Sequence, residues 1–202
     1  MLLLVAAAVP GFVIWRATQE VDPGWLSKLN QKEADEARRK IKLVSDALKS
    51  SKRGFVNLSQ LEINSYITAN TTEAVKGKTN TGPAVLVKSC MDMSYQDFGW
   101  YCLVKKTIYG KTFEVTWERT VGLEQAGGKW TFPIKTMRVG EFKVPKQLWQ
   151  KVEQFFGPVD QIYNSDFEWL SKLPGIQITT NTVTRKPQLT LYSYSLNGPE
   201  KK

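Results

Sequence analysis

The chain has 202 residues, 42% of them apolar or aromatic and 23% charged, a balance that supports a sizeable core and excludes wholesale disorder. Histidine is absent, which removes the commonest general base, the usual zinc-binding imidazole and every Ser-His or Cys-His nucleophile pair; two cysteines are too few for a four-sulfur metal site. The net charge of +9 asks for an anionic partner or a well-solvated face, and the function classes left open are binding, anchoring and assembly.

Residues 1–15 carry no charged side chain before Arg16 and read as a membrane or export signal. As a helix they would reach roughly 22 Å, short of the ~30 Å hydrocarbon slab. No basic region precedes them, and Trp15-Arg16-Ala17 is a poor cleavage site. The expectation is an uncleaved anchor over residues 1–21, whose span upstream residues would complete. The basic residues that follow it would keep the body of the chain in the cytoplasm on a strict positive-inside count, whereas a bridging cysteine pair would place it in an oxidising compartment. The expected location is membrane-anchored with the bulk extracytoplasmic, in the periplasm or at the cell surface.

After Asp22-Pro23-Gly24, apolar residues recur at helical spacing to about Ser50, predicting one long amphipathic helix within a basic connector, 22–54. Between Arg38 and Arg53 stand seven basic residues against one acid, Asp46. Arg38, Arg39, Lys42, Lys49, Lys52 and Arg53 are candidates to meet headgroup phosphates or a partner protein, at roughly 1 kcal/mol each near an anionic leaflet. A solvated helix face explains them as well. No RNP-like, helix-turn-helix or zinc-finger pattern accompanies the cluster, so nucleic acid is not an expected partner.

A domain follows over residues 55–197. Ser59-Gln60-Leu61-Glu62 forms a capping box that opens a second, shorter helix. Residues 70–83 read as a polar loop. From Ala84 the period changes to two and β-branched and aromatic residues dominate, predicting strands near 84–95, 99–109, 111–125 and 129–140, with the strongest hairpin signal at Ala126-Gly127-Gly128. A hairpin centred on Gln96 sets Cys90 opposite Cys102, where a cross-strand disulfide worth up to ~3 kcal/mol would fit. Pro145 opens a helix with the apolar stripe Leu148, Trp149, Val152, Phe155 and Phe156, and a further helix spans 159–173. Two closing strands, 176–183 and 188–196, precede a frayed tail, 198–202. The fold class is α+β: a membrane helix and a long amphipathic helix, then a curved antiparallel sheet packed on helices.

Two stretches resemble a known family. Leu58, Ser59, Glu62, Ile63, Asn64, Tyr66 and Ile67 follow the pattern L-[ST]-x-x-E-[LI]-N-x-[LYF]-[LI], and Gly127, Gly128, Gly140, Phe142, Val144 and Pro145 follow a hairpin ending G-x-[LF]-x-[VLI]-P. Both resemble small bacterial membrane-anchored envelope proteins of the YpmS type, over about half the chain. The resemblance implies an extracytoplasmic domain with a curved antiparallel sheet wrapped on a helix, distantly TULIP-like, holding acyl chains in an apolar seam. The long helix over 24–50, the cysteine pair and the aromatic hairpins depart from that pattern.

Candidate chemistry is thin. Glu62 and Asn64 are better read as capping and tethering groups than as a functional pair, and the strand carboxylates Asp92, Asp97, Glu114 and Glu118 show no acid-base spacing. No enzymatic activity, cofactor or metal is expected. The aromatic set is richer: Trp100, Phe113, Trp117, Trp130 and Phe132 on predicted strands face Trp149, Phe156 and Trp169 on predicted helices. Those rings would either fill an ordinary core or wall an apolar groove for a lipid tail. The expected function is a non-enzymatic, membrane-anchored envelope protein that binds lipid or another hydrophobic ligand between sheet and helix. The alternative is an assembly subunit docking into a larger membrane-associated protein complex.

Overall fold

The computed structural model describes residues 30–76, 84–94, 97–108, 111–156 and 163–195. The expected anchor, 1–21, and tail, 198–202, lie outside the described residues. Among the described residues no helix is long and apolar enough to cross a membrane.

Helix α1 (Gln31–Lys49) starts where Asn30 accepts the Glu33 backbone N–H at 3.4 Å, an N-cap that satisfies one of the first-turn donors. Of its buried residues Ala34, Ala37 and Val44, the last two pack into the main core, so the helix expected as a connector is a wall of the folded body. Strand β1 (Phe55–Ser59) follows, in a stretch whose sequence shows no strand period, and pairs antiparallel with the last strand, Phe55 opposite Tyr192 and Ser59 opposite Gln188. Helix α2 (Gln60–Lys76) opens on the expected capping box: Ser59 N–H donates to Glu62 Oε2 at 2.7 Å, and Glu62 N–H donates to Ser59 Oγ at 3.2 Å. It runs through Asn70, Thr71 and Thr72, which were expected in a loop. The hydroxyls of Thr68, Thr71 and Thr72 bond the carbonyls one turn back, giving these weak helix formers internal partners.

The main sheet has five strands in the order β2 (Ala84–Ser94), β3 (Asp97–Ile108), β4 (Lys111–Gly122), β7 (Ile134–Val139), β8 (Phe142–Lys143), all antiparallel. The expected long strands break at Leu123 and Pro133. Between those breaks β5 (Glu124–Ala126) and β6 (Lys129–Thr131) form a separate hairpin. Gly127 and Gly128 turn it with φ of 57° and 78°, the left-handed conformation that a two-residue hairpin loop demands. Helices α3 (Trp149–Phe156) and α4 (Asn164–Ser171) come next. Then β9 (Gly175–Thr180) and β10 (Pro187–Tyr192) close a three-stranded sheet in the order β1, β10, β9.

The core lies between the two sheets and the helices, and rings form much of it. Trp100 meets Tyr163 edge-on at 4.8 Å and Phe167 at 5.0 Å, while Trp117 stacks on Phe156 at 5.2 Å. Aromatic contact therefore joins the sheet to the helical layer, as the alternating strand pattern requires.

The expected disulfide does not form. Strands β2 and β3 join across residues 95–96, with Ser94 opposite Asp97, so the hairpin turns earlier than one centred on Gln96. Cys90 then faces Tyr101, and Cys102 faces Ser89. That one-residue slip puts the two sulfurs on opposite faces of the sheet, and both are buried free thiols. Burial pushes the Cys90 thiol up to about 12, and the Trp100 indole N–H donates to Cys102 Sγ at 3.0 Å.

Candidate functional site

A groove of about 440 Å³ opens between α1, α2, α4 and the inner faces of the two sheets. Its size falls in the range of roughly 300–1,000 Å³ usual for small-molecule sites. The local patterns of three helices and two sheets converge on it. Ala37 and Ile41 come from the inner stripe of α1, Ile63 and Ile67 from α2, and Phe167 and Leu170 from α4. Leu58, Leu189 and Leu191 share one face of the small sheet, because Leu58 pairs with Leu189 in register, and Met91 pairs with Trp100 on the large one. The walls are thus mainly aliphatic and aromatic, the surface an alkyl chain can exchange for water at about 25 cal/mol per Å².

Polar groups gather where α1 and α4 reach solvent. Arg38, Lys42, Asp46 and Lys49 line the groove from α1 at positions separated by about one helical turn or two, which keeps them on one stripe. Lys42, Asp46 and Lys49 are exposed, and half-buried Arg38 donates to Asp35 at 3.3 Å and to Asn70 at 3.4 Å. From α4 comes Asp166, which accepts the Tyr66 hydroxyl at 3.0 Å and so links α4 to α2. Burial raises the Asp166 carboxyl above its ordinary 3.8, against the opposing pull of the Tyr66 hydrogen bond. Burial, with Asp166 beside it, pushes Tyr66 up to about 12, so this hydroxyl stays protonated and donating. Behind it Tyr163, raised further by burial, is hydrogen-bonded to the Thr71 hydroxyl and fixes the start of α4 against α2.

The expected site residues divide between this groove and other places. Trp100, Trp169, Arg38, Lys42 and Lys49 line it. Phe132 packs on Phe167 at 5.4 Å and lines a second void of about 20 Å³ that shares Met91, Trp100, Phe167, Leu170 and Leu189 with the groove. The remaining rings are elsewhere. Trp117 and Phe156 are stacked in the core; Trp130 is half-buried on β6; Phe113 is 37% exposed on β4. The Trp149 indole N–H donates to the Val144 carbonyl at 2.9 Å, anchoring α3. Among the basic residues, Arg39 turns to Glu36 at 2.5 Å on the outer side of α1, and Arg53 lies over the Tyr194 ring at 5.7 Å. The Lys52 carbonyl accepts the Ser193 hydroxyl at 2.7 Å, tying the chain after α1 to the end of β10.

The two polar residues read as structural are so. Glu62 completes the capping box and also accepts Lys40 Nζ at 2.6 Å, pinning α1 to α2; Asn64 Oδ1 accepts the Met91 backbone N–H at 2.7 Å, pinning α2 to β2. Sequence reading missed the aliphatic walls and the Tyr66–Asp166 link. Helical spacing carried a signal for Ile41, Ile63 and Ile67, but nothing local marks Leu58 or Leu189 as neighbours 131 positions apart. Comparison of the chain with protein-family models, curated proteins and solved structures finds no match.

Proposed function

We propose that this chain is a non-enzymatic, membrane-anchored envelope protein that binds the tail of a lipid or similar amphiphile in the groove between sheets and helices, with the bulk of the chain extracytoplasmic. The observation that carries the reading is the groove itself: about 440 Å³, apolar along its walls, with Arg38, Lys42 and Lys49 where it meets water. An alkyl tail gains about 0.8 kcal/mol per buried methylene, so such a cleft binds without any catalytic group. The apolar leader in residues 1–15 and the resemblance to YpmS-type, TULIP-like proteins support the same reading.

The test uses the full-length chain held in amphipol and dodecyl phosphate below its micelle concentration, with complexes read by native mass spectrometry. A one-to-one complex is expected in the parent, and its loss in Ile41→Trp, which fills the groove from a half-buried position on α1. No complex in the parent, or equal complex in both proteins, sinks the reading. The second reading, an assembly subunit, has one feature in its favour: Phe55, 60% exposed, lies 6.0 Å from Tyr192, which meets Tyr194 edge-on at 5.4 Å, an outward aromatic cluster on the small sheet.

A further inference from the structure

Two properties of the groove narrow its ligand: how much it holds, and which charges border it. At roughly 30 Å³ for each water-sized group, 440 Å³ has room for about fifteen methylene-sized groups. One alkyl tail fits that space; the twin long tails of a diacyl lipid overfill it. The small void of about 20 Å³ that shares Phe167 and Trp100 with the groove is too small to change the conclusion, even added to it.

The charges are of both signs: α1 brings Arg38, Lys42 and Lys49 with the exposed carboxylate Asp46 one turn from each of the two lysines, whereas α4 brings the half-buried Asp166. On α1, Lys42 and Lys49 are exposed at the mouth, and among the described residues neither is in an ion pair. On α4, Asp166 is half-buried, and among the described residues it accepts one hydrogen bond, from the neutral Tyr66 hydroxyl, and has no Lys or Arg within ion-pair distance. A place in the first turn of α4 explains why an acid is tolerated there. It does not explain why that acid lines an apolar cleft. A carboxylate drawn partly out of water without a counter-ion is costly, and a ligand that supplies the cation recovers that cost on binding.

We propose that the groove takes a single-tailed amphiphile with an ammonium beside an anion in its head: the tail lies along Ile41, Leu58 and Trp100, the anion meets Lys42 and Lys49, and the ammonium meets Asp166. This rests on the reading of the groove as an amphiphile site and goes further, because it names the number of tails and assigns Asp166 as the residue that selects the head.

The experiment compares three probes on the full-length chain in amphipol by native mass spectrometry. They are lauroyl lysophosphatidylethanolamine, with tail, phosphate and ammonium; lauroyl lysophosphatidic acid, which lacks the ammonium; and dilauroyl phosphatidylethanolamine, which adds a second tail. The first is expected to bind about tenfold more tightly than either of the others, the factor that 1.4 kcal/mol produces. Asp166→Asn, which keeps an acceptor for the Tyr66 hydroxyl, is expected to abolish the preference for the ammonium head without weakening lysophosphatidic acid. Asp166→Glu, which keeps the charge, is expected to retain that preference. Equal binding of the two single-tailed probes, a preference that survives Asp166→Asn, or equal binding of the diacyl probe overturns the proposal while leaving a hydrophobic-ligand site standing. Failure of all three probes overturns the groove reading with it.

Discussion

Asp166 couples proton binding to folding. Burial holds its carboxyl above the ordinary 3.8, so the folded chain retains this proton more tightly than the unfolded chain does. The associated stability is complete below pH 3.8 and is lost as pH rises through the raised folded value. Asp166→Asn removes the ionisation and keeps the acceptor for Tyr66. It should melt above the parent at pH 7, with the gap closing as pH approaches 3.8; an unchanged or lower Tm at pH 7 refutes this account. Glu62 differs in its partners: it is a 5% exposed carboxylate with both oxygens bonded. Its two oxygens serve the Ser59 N–H and the Lys40 ammonium, so Glu62→Ala leaves a half-buried cation and an open helix end. A loss of about 3 kcal/mol in urea unfolding is expected, as for removal of one member of a buried ion pair.

Between elements, the decisive contacts are aromatic, and position rather than ring type sets their worth. Trp117 on β4 is 1% exposed and stacks on Phe156 of α3, with the Arg119 guanidinium 4.2 Å from the centre of its ring in a cation–π contact. Phe113, four residues earlier on the same strand and face, is 37% exposed. Trp117→Ala should therefore cost about 4 kcal/mol, the usual range for a buried large ring, and Phe113→Ala less than about 0.5 kcal/mol. Equal losses in chemical denaturation would show that the rings do not join sheet to helix as described. Strand alternation made both rings visible in the sequence, but only the packing of α3 onto one end of the sheet separates them. The thiols carry the same lesson. A period-two pattern identifies β2 and β3 from sequence alone, whereas the point at which the chain turns decides whether Cys90 and Cys102 share a face.

At the scale of the whole molecule, closure is long-range. The first strand pairs with the last, Ser193 bonds both the Lys52 carbonyl and the Gly54 amide, and α1 contributes Ala37 and Val44 to the common core. A chain shortened to begin at residue 55 loses that wall, the Lys40–Glu62 pair and one side of the groove. It is expected to show the loose packing of a molten state, with weak near-ultraviolet circular dichroism and strong binding of a hydrophobic dye. A shortened chain with a sharp, cooperative melt would show that α1 is an appendage.

The sequence by itself determined the parts whose causes are local. The absence of histidine removed whole classes of chemistry, the Ser59–Glu62 spacing placed a helix start, the Gly127-Gly128 pair placed a hairpin, and alternating apolar residues placed the main strands. Tertiary structure alone decided the hairpin register that separates the cysteines, the pairing of β1 with β10, and the meeting of Tyr66 with Asp166 a hundred residues away. Each of these depends on which surfaces lie together when the core closes. Local propensity fixes what a segment is; burial against distant partners fixes what it faces, and the groove is made of such facings.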